Sequence, residues 1–249
     1  TNVYIGLWPG AAPKVPFINM AFAAGASAAS GIVAGYEALG KEDINVMTWA
    51  GDGGTVDIGI QALSGAIERG TNFIYACYDN EIYANTGTQR SGSTPFSAIT
   101  TTTPYGKKEF KKDVAKIIAA HDIPYVGVVN GSDPKDVFAT FKKIKTIKGP
   151  RFVHILSPCP PGWRYDSSKT IEIGKLAVNS GMWILWEQID GKFQLKNRSK
   201  KLLDKSKRIP VKDYIKTQGR FKLASDEDIQ SIQDWVDQNW EEIKKKIDQ

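Results

Sequence analysis

The sequence predicts an α/β protein with a doubly wound, mostly parallel sheet, and three observations carry that reading. Short apolar runs of strand length alternate with stretches of helical periodicity. The connecting stretches are long enough to be crossover helices, which parallel strands require. The run at residues 44–50 is short and mostly apolar and stops at Gly51-Asp52-Gly53, and it reads as a buried parallel strand. Right-handed crossovers follow as an expectation.

Residues 20–40, rich in Gly and Ala, read as a helix packed closely against other backbone and ended by Gly40. After the strand at 44–50, Ile58, Ala62, Leu63, Ala66 and Ile67 recur at helical spacing. Residues 72–79 form the second strand, 110–121 a helix and 124–131 the third strand. Asp133 caps the next helix, and 151–159 is a further strand. The tail carries an amphipathic helix through Ile229, Ile232, Trp235, Val236, Trp240 and Ile243. Ser225 with Asp228 offers it a capping-box-like start, with Asp where Glu or Gln is preferred. Neither an internal repeat nor a low-complexity linker interrupts the chain. The expected organisation is therefore an α/β domain over residues 1–190 and a C-terminal extension over 191–249.

Bulk properties remove several function classes. The chain has 249 residues, 41% of them hydrophobic and 24% charged, an ordinary balance for a globular protein. No apolar stretch nears the roughly 18 residues of a membrane span, and no charged start leads into an apolar run near Thr1. The net charge of +6 gathers around residues 195–208 and 106–116. Those runs have almost no aromatic interleaving, so nucleic-acid binding is not expected. A solvated face or a dock for an acidic partner explains them. With two cysteines, Cys77 and Cys159, there is no disulfide framework, and a reducing cytoplasmic setting is expected.

In an open α/β sheet, ligands bind where strands end and helices begin. Gly51, Asp52, Gly53 and Gly54 stand at one such edge, and Asp79, Asn80 and Glu81 at another, one crossover later. Glycines allow close backbone approach, and a following helix N-terminus favours an anion. Asp52 adds a hard oxygen, and the Asn80 amide or a nearby carbonyl can add others. That set suits Mg²⁺, which takes one or two carboxylates together with phosphate oxygens and water. The expected ligand is a diphosphate held through a metal. Each turn alone also reads as an ordinary turn or cap.

Asn80 falls 28 residues after Asp52, and this spacing resembles the thiamine diphosphate motif, which begins Gly-Asp-Gly and ends with Asn. The stretches YDNEIYANTGTQRSGSTP (78–95), SPCPPGWR (157–164) and TQGRFK (217–222) narrow the likeness. The chain resembles the β subunit of 2-oxoacid:ferredoxin oxidoreductases, most closely the pyruvate type, over nearly its whole length. The resemblance implies the diphosphate-domain form of the fold. It implies Mg²⁺ held by the Asp52 carboxylate, the Asn80 side-chain oxygen and the Ile82 carbonyl. Gly51, Gly53 and Gly54 would admit the diphosphate, and the 25–31 segment, with Gly25, Ala26 and Ser27, would line the cofactor. Asn85 would lie beside the thiazolium and substrate as the catalytic residue, with Thr86 close by; Gln89 and Arg90 are weaker candidates. Each also reads as a residue of an irregular, solvated loop.

The implied partners are α/γ/δ-type subunits, one supplying the pyrimidine-binding domain, and ferredoxin, with a 2-oxoacid and CoA as reactants. This chain alone would be inactive. Cys159 matches the last ligand of the family's 4Fe–4S cluster, but the other three cysteines have no counterpart here, and a cluster needs four thiolates. Either a cysteine-bearing segment precedes Thr1, the expectation the PCPPGW context favours, or Cys159 is a buried thiol. Cys77 reads as core, and His121 and His154 as structural. Other readings stay open. They are the same enzyme acting on oxalate, 2-oxoglutarate or a branched 2-oxoacid, a non-oxidative thiamine decarboxylase or synthase, and a non-catalytic assembly module.

Overall fold

The computed structural model describes residues 15–247. Its strands β1 (Val46–Gly51), β2 (Phe73–Asp79), β3 (Tyr125–Asn130) and β4 (Arg151–Leu156) are mutually parallel and ordered β1-β2-β4-β3. They lie on the four apolar runs, with bounds shifted by a few residues. β1 runs on to Gly51 and, as an edge strand, exposes Met47 and Trp49 on one face, where the sequence predicts a buried strand. Two strands absent from the sequence reading extend the sheet beyond β3: β5 (Trp186–Ile189) and β6 (Lys192–Leu195), both antiparallel to their neighbours. They meet in a tight turn at Asp190 and Gly191, both at positive φ. Asp-Gly between two strand-length runs is the usual sign of such a hairpin. β6 therefore joins the main sheet although it lies past residue 190.

The first helix, α1, spans Gly25–Ala38 rather than starting at residue 20, because residues 22–24 form a turn. Gly40, at φ 67°, ends it as expected, with Lys41 N–H donating back to the Tyr36 carbonyl at 2.9 Å. A π-helical turn, Gly53–Asp57, leads into α2 (Ile60–Glu68). α3 (Val114–Ala119) begins later than the periodicity suggests, because Asp113 caps it by accepting from Lys116 N–H. Asp133 caps α4 (Pro134–Ile144) in the same way. A short α5 (Pro160–Trp163) follows β4; then come α6 (Thr170–Asn179), α7 (Asn197–Lys201), α8 (Val211–Ile215) and α9 (Asp226–Ile247).

Alternation along the strands divides the core between the two sheet faces. Phe73, Tyr75 and Cys77 of β2 point to the larger cluster with Leu63, Ile118, Ile173, Val236 and Trp240. Ile74 and Ala76 point to a smaller one with Ile144, Val153 and Ile155, beneath α4. Cys77 is fully buried, as core should be. His121 bonds Ser64 Oγ and the Ile117 carbonyl. Among the described residues no helix is long and apolar enough to cross a membrane.

Candidate active site

Gly51 pairs with Tyr78 in the β1–β2 register, so Asp52 and Asp79 leave the sheet side by side at its C-terminal edge. The chain turns sharply after Asp52. Thr55 Oγ donates to the Gly51 carbonyl at 2.7 Å, holding the first turn. Gly53 is required by a neighbour: a Cβ there would fall 2.1 Å from the Tyr83 ring. The Tyr83 hydroxyl, within 3.1 Å of both, contacts the Gly53 carbonyl and Asp57 Oδ2. Gly54 backs onto the Phe22 carbonyl, 3.0 Å from where a Cβ would sit. Two of the motif's glycines thus admit neighbouring groups, whatever else they admit.

The second turn, Asp79-Asn80-Glu81-Ile82, is held at nearly every polar atom. Asp79 Oδ1 accepts from Glu81 N–H at 2.8 Å, and Asn80 Oδ1 from Ile82 N–H at 3.2 Å. The Asn80 carbonyl accepts from the Trp163 indole at 2.8 Å, and the Glu81 carbonyl from Thr94 Oγ at 2.6 Å. Glu81 sits at φ 62°, a costly conformation for a non-glycine residue. The Ile82 carbonyl accepts no hydrogen bond among the described residues. His154, on β4, meets Asp79 Oδ2 at 2.7 Å and is buried with it.

Electrostatics separate the two aspartates. Burial, and then the nearby Asp79 carboxylate, push the Asp52 carboxyl well above its ordinary value, although Ser91 Oγ donates to it at 2.5 Å. Burial also raises Asp79, but the His154 hydrogen bond and charge, helped by Lys111, outweigh it and hold Asp79 below its ordinary value. Asp52 is therefore a buried carboxylate that gains from a cation. Among the described residues no group of three or more His, Cys, Asp or Glu could hold a metal ion. An ion at Asp52 would draw on the Asn80 amide oxygen, the unengaged Ile82 carbonyl and oxygens of its own ligand, a set that suits Mg²⁺ with a diphosphate.

Other expected site residues are less enclosed. Gly25 is half-buried against Thr48, Ala26 buried and Ser27 exposed. Asn85 and Thr86 are exposed in the loop closed by the Tyr83–Gln89 bridge, where Thr86 and Gln89 hydrogen-bond each other. Arg90 is exposed, 3.5 Å from Glu109. Cys159 is half-buried; burial raises its thiol, against the Gly162 N–H and Arg220. A four-thiolate cluster does not fit this chain's own residues, since its other cysteine lies in the middle of β2.

Sequence reasoning missed the groups that support these turns: Ser91, Thr94, Trp163, and the buried ion cluster of Glu81 with Arg220 (2.7 Å) and Lys111 (3.0 Å). It assigned His154 a structural part without finding its partner. None of these contacts has a local spacing signal.

Comparison with known proteins gives consistent results. Residues 14–155 match the family of thiamine pyrophosphate enzymes through their C-terminal TPP-binding domain. The pyruvate synthase subunit PorB of Methanothermobacter thermautotrophicus is 46% identical, over 95% of this chain and 82% of that protein. The ketoisovalerate oxidoreductase subunit VorB of Pyrococcus horikoshii is 44% identical, over 98% and 81%. A solved structure, the 2-oxoglutarate:ferredoxin oxidoreductase from Magnetococcus marinus with 2-oxoglutarate, coenzyme A and succinyl-CoA bound, shares the fold. It is 24% identical with a TM-score of 0.51, over 63% of this chain and 58% of that one. The chain belongs to the β-subunit family of thiamine pyrophosphate-dependent 2-oxoacid:ferredoxin oxidoreductases.

Proposed function

We propose that this subunit binds thiamine diphosphate through Mg²⁺ and serves the oxidative decarboxylation of pyruvate to an acyl-CoA and carbon dioxide, with electrons passing to ferredoxin. The observation that carries the reading is the buried Asp52 turn set beside the Asn80–Ile82 turn on adjoining parallel strands. When bound, the thiazolium supplies a carbon nucleophile and then an electron sink. The chain's own part is to hold and orient. Asp52, the Asn80 side chain and the Ile82 carbonyl would hold the metal, while Tyr83 and Phe22 pack against the glycine turn. Asn85 is open on this chain's surface, so a partner subunit completes its surroundings and supplies the pyrimidine-binding domain. Cys159 offers one thiolate to a cluster; three more would have to come from outside this sequence.

A branched 2-oxoacid is the second reading, favoured by the VorB likeness at 44% identity. Anaerobic reduction of a viologen dye by the native complex containing this subunit decides between them. Pyruvate and 3-methyl-2-oxobutanoate are compared with and without CoA. The expected result is CoA-dependent reduction with a higher kcat/KM for pyruvate. Preference for the branched acid selects the second reading. Reduction with neither, in a complex that holds thiamine diphosphate and iron, overturns both.

A further inference from the structure

We infer that Arg220, in the C-terminal extension, is a positioning residue for the metal-holding turn and acts on it through Glu81 and Trp163. The inference rests on the reading of Asp52, Asn80 and Ile82 as the metal-holding residues. Arg220 is 1% exposed. Its Nη2 meets Glu81 Oε2 at 2.7 Å across 139 residues of sequence, and its guanidinium lies 3.9 Å over the Trp163 ring. Trp163 in turn donates to the Asn80 carbonyl. One side chain therefore contacts both supports of the turn: the carboxylate of its strained residue and the indole that fixes the preceding carbonyl.

The surroundings argue against a merely stabilising ion pair. Buried pairs are costly to desolvate and often add little net stability. Here the guanidinium is also left with Nη1 buried and unpartnered, although Nε donates to Gln218 at 2.9 Å. What the pair does achieve is local. It holds Glu81 at φ 62° between Asn80 and Ile82, the residues whose oxygens would hold the metal. Ile99 N–H donates to the Arg220 carbonyl at 2.7 Å, so the backbone of the arginine is itself anchored. Supports of this kind orient metal-holding groups, and losing one typically weakens metal binding about 10–100-fold.

The test uses the assembled complex, stripped of cofactor, and reads the Mg²⁺ concentration that half-saturates thiamine diphosphate binding, alongside thermal unfolding. Arg220→Gln should raise that concentration about tenfold or more, with KM for the 2-oxoacid little changed. Arg220→Lys, which keeps the charge, should recover part of the loss. Glu81→Gln should give the same defect, and the double variant should be no worse than either single one. A lowered unfolding midpoint with unchanged Mg²⁺ dependence would overturn the inference. If Arg220→Gln does not assemble, Trp163→Phe and Glu81→Gln carry the test, and unchanged Mg²⁺ dependence in both overturns it. Asp52→Ala separates the two levels. Full cofactor occupancy in that variant overturns the metal reading and this inference with it. Loss of binding there, with Arg220→Gln unaffected, overturns this inference alone.

Discussion

At the residue scale, the positions that sequence made legible are those whose role is encoded within a few neighbours. Asp52 between glycines and Asn80 after an apolar run both announce strand-end turns, and both stand at the same sheet edge. Ser91 does not announce itself, because its bond to Asp52 spans 39 residues and leaves no spacing to recognise. Gly53 is a mixed case: its need for small size was legible, but its reason is the Tyr83 ring. Gly53→Ala should displace Tyr83 and cost about 1–3 kcal/mol, the usual range for overpacking. Chemical denaturation of the variant measures this, and an unchanged midpoint would mean the ring moves freely. Asn85 makes the opposite prediction, since it is exposed. Asn85→Ala should leave stability and cofactor affinity intact while lowering kcat in the complex, and unchanged kinetics would remove it from the active site.

At the element scale, β2, β3 and β4, buried on both faces, were readable from their nearly continuous apolar runs, and β1 was readable as a strand although its outer face is exposed, whereas β5 and β6 were not. Trp-Glu-Gln-Ile and Lys-Phe-Gln-Leu are short and half polar, and only the Asp190-Gly191 turn between them signals a hairpin. Helix starts were legible at α4 and α9, whose caps Asp133 and Ser225 are recognisable, but not at α3, whose Asp113 cap lies inside the expected 110–121 helix. The start of α9 is a reciprocal box: Ser225 Oγ accepts from Asp228 N–H at 3.0 Å, and Asp228 Oδ2 accepts from Ser225 N–H at 3.2 Å. Asp228 Oδ2 also accepts from Ser97 Oγ at 2.9 Å, which ties α9 to the loop that follows the site. Asp228→Ala should therefore cost about 1–2 kcal/mol, the upper part of the range for a lost cap. Urea denaturation of the two proteins measures the difference. A loss no greater than that of Ser225→Ala would show that the bond to Ser97 contributes nothing.

At the scale of the whole molecule, Glu187 joins the antiparallel hairpin to the parallel sheet. Its carboxylate accepts from Tyr125 on β3 (2.9 Å), Lys143 on α4 (2.7 and 2.9 Å) and Gln194 on β6 (2.7 Å). Burial alone would raise this carboxyl; the hydrogen bonds from Lys143 and Tyr125 outweigh it and hold Glu187 below its ordinary value of 4.5. A carboxyl depressed by folding binds fewer protons in the native than in the unfolded chain. Its contribution is then complete above the ordinary value and is lost as pH falls through the lower native one. Glu187→Gln should destabilise the protein near neutral pH by about 1–3 kcal/mol, because buried partners lose a charged acceptor. The gap between the proteins should narrow as the pH falls below 4.5, where the glutamate of the unfolded chain takes up its proton before the native one does, and it should close once the native carboxyl protonates as well. Urea midpoints at neutral pH and at successively lower pH values test the sign. A gap that stays constant or widens toward acid would show that the β3–β5 junction is held by packing of Trp186 and its neighbours rather than by this carboxylate.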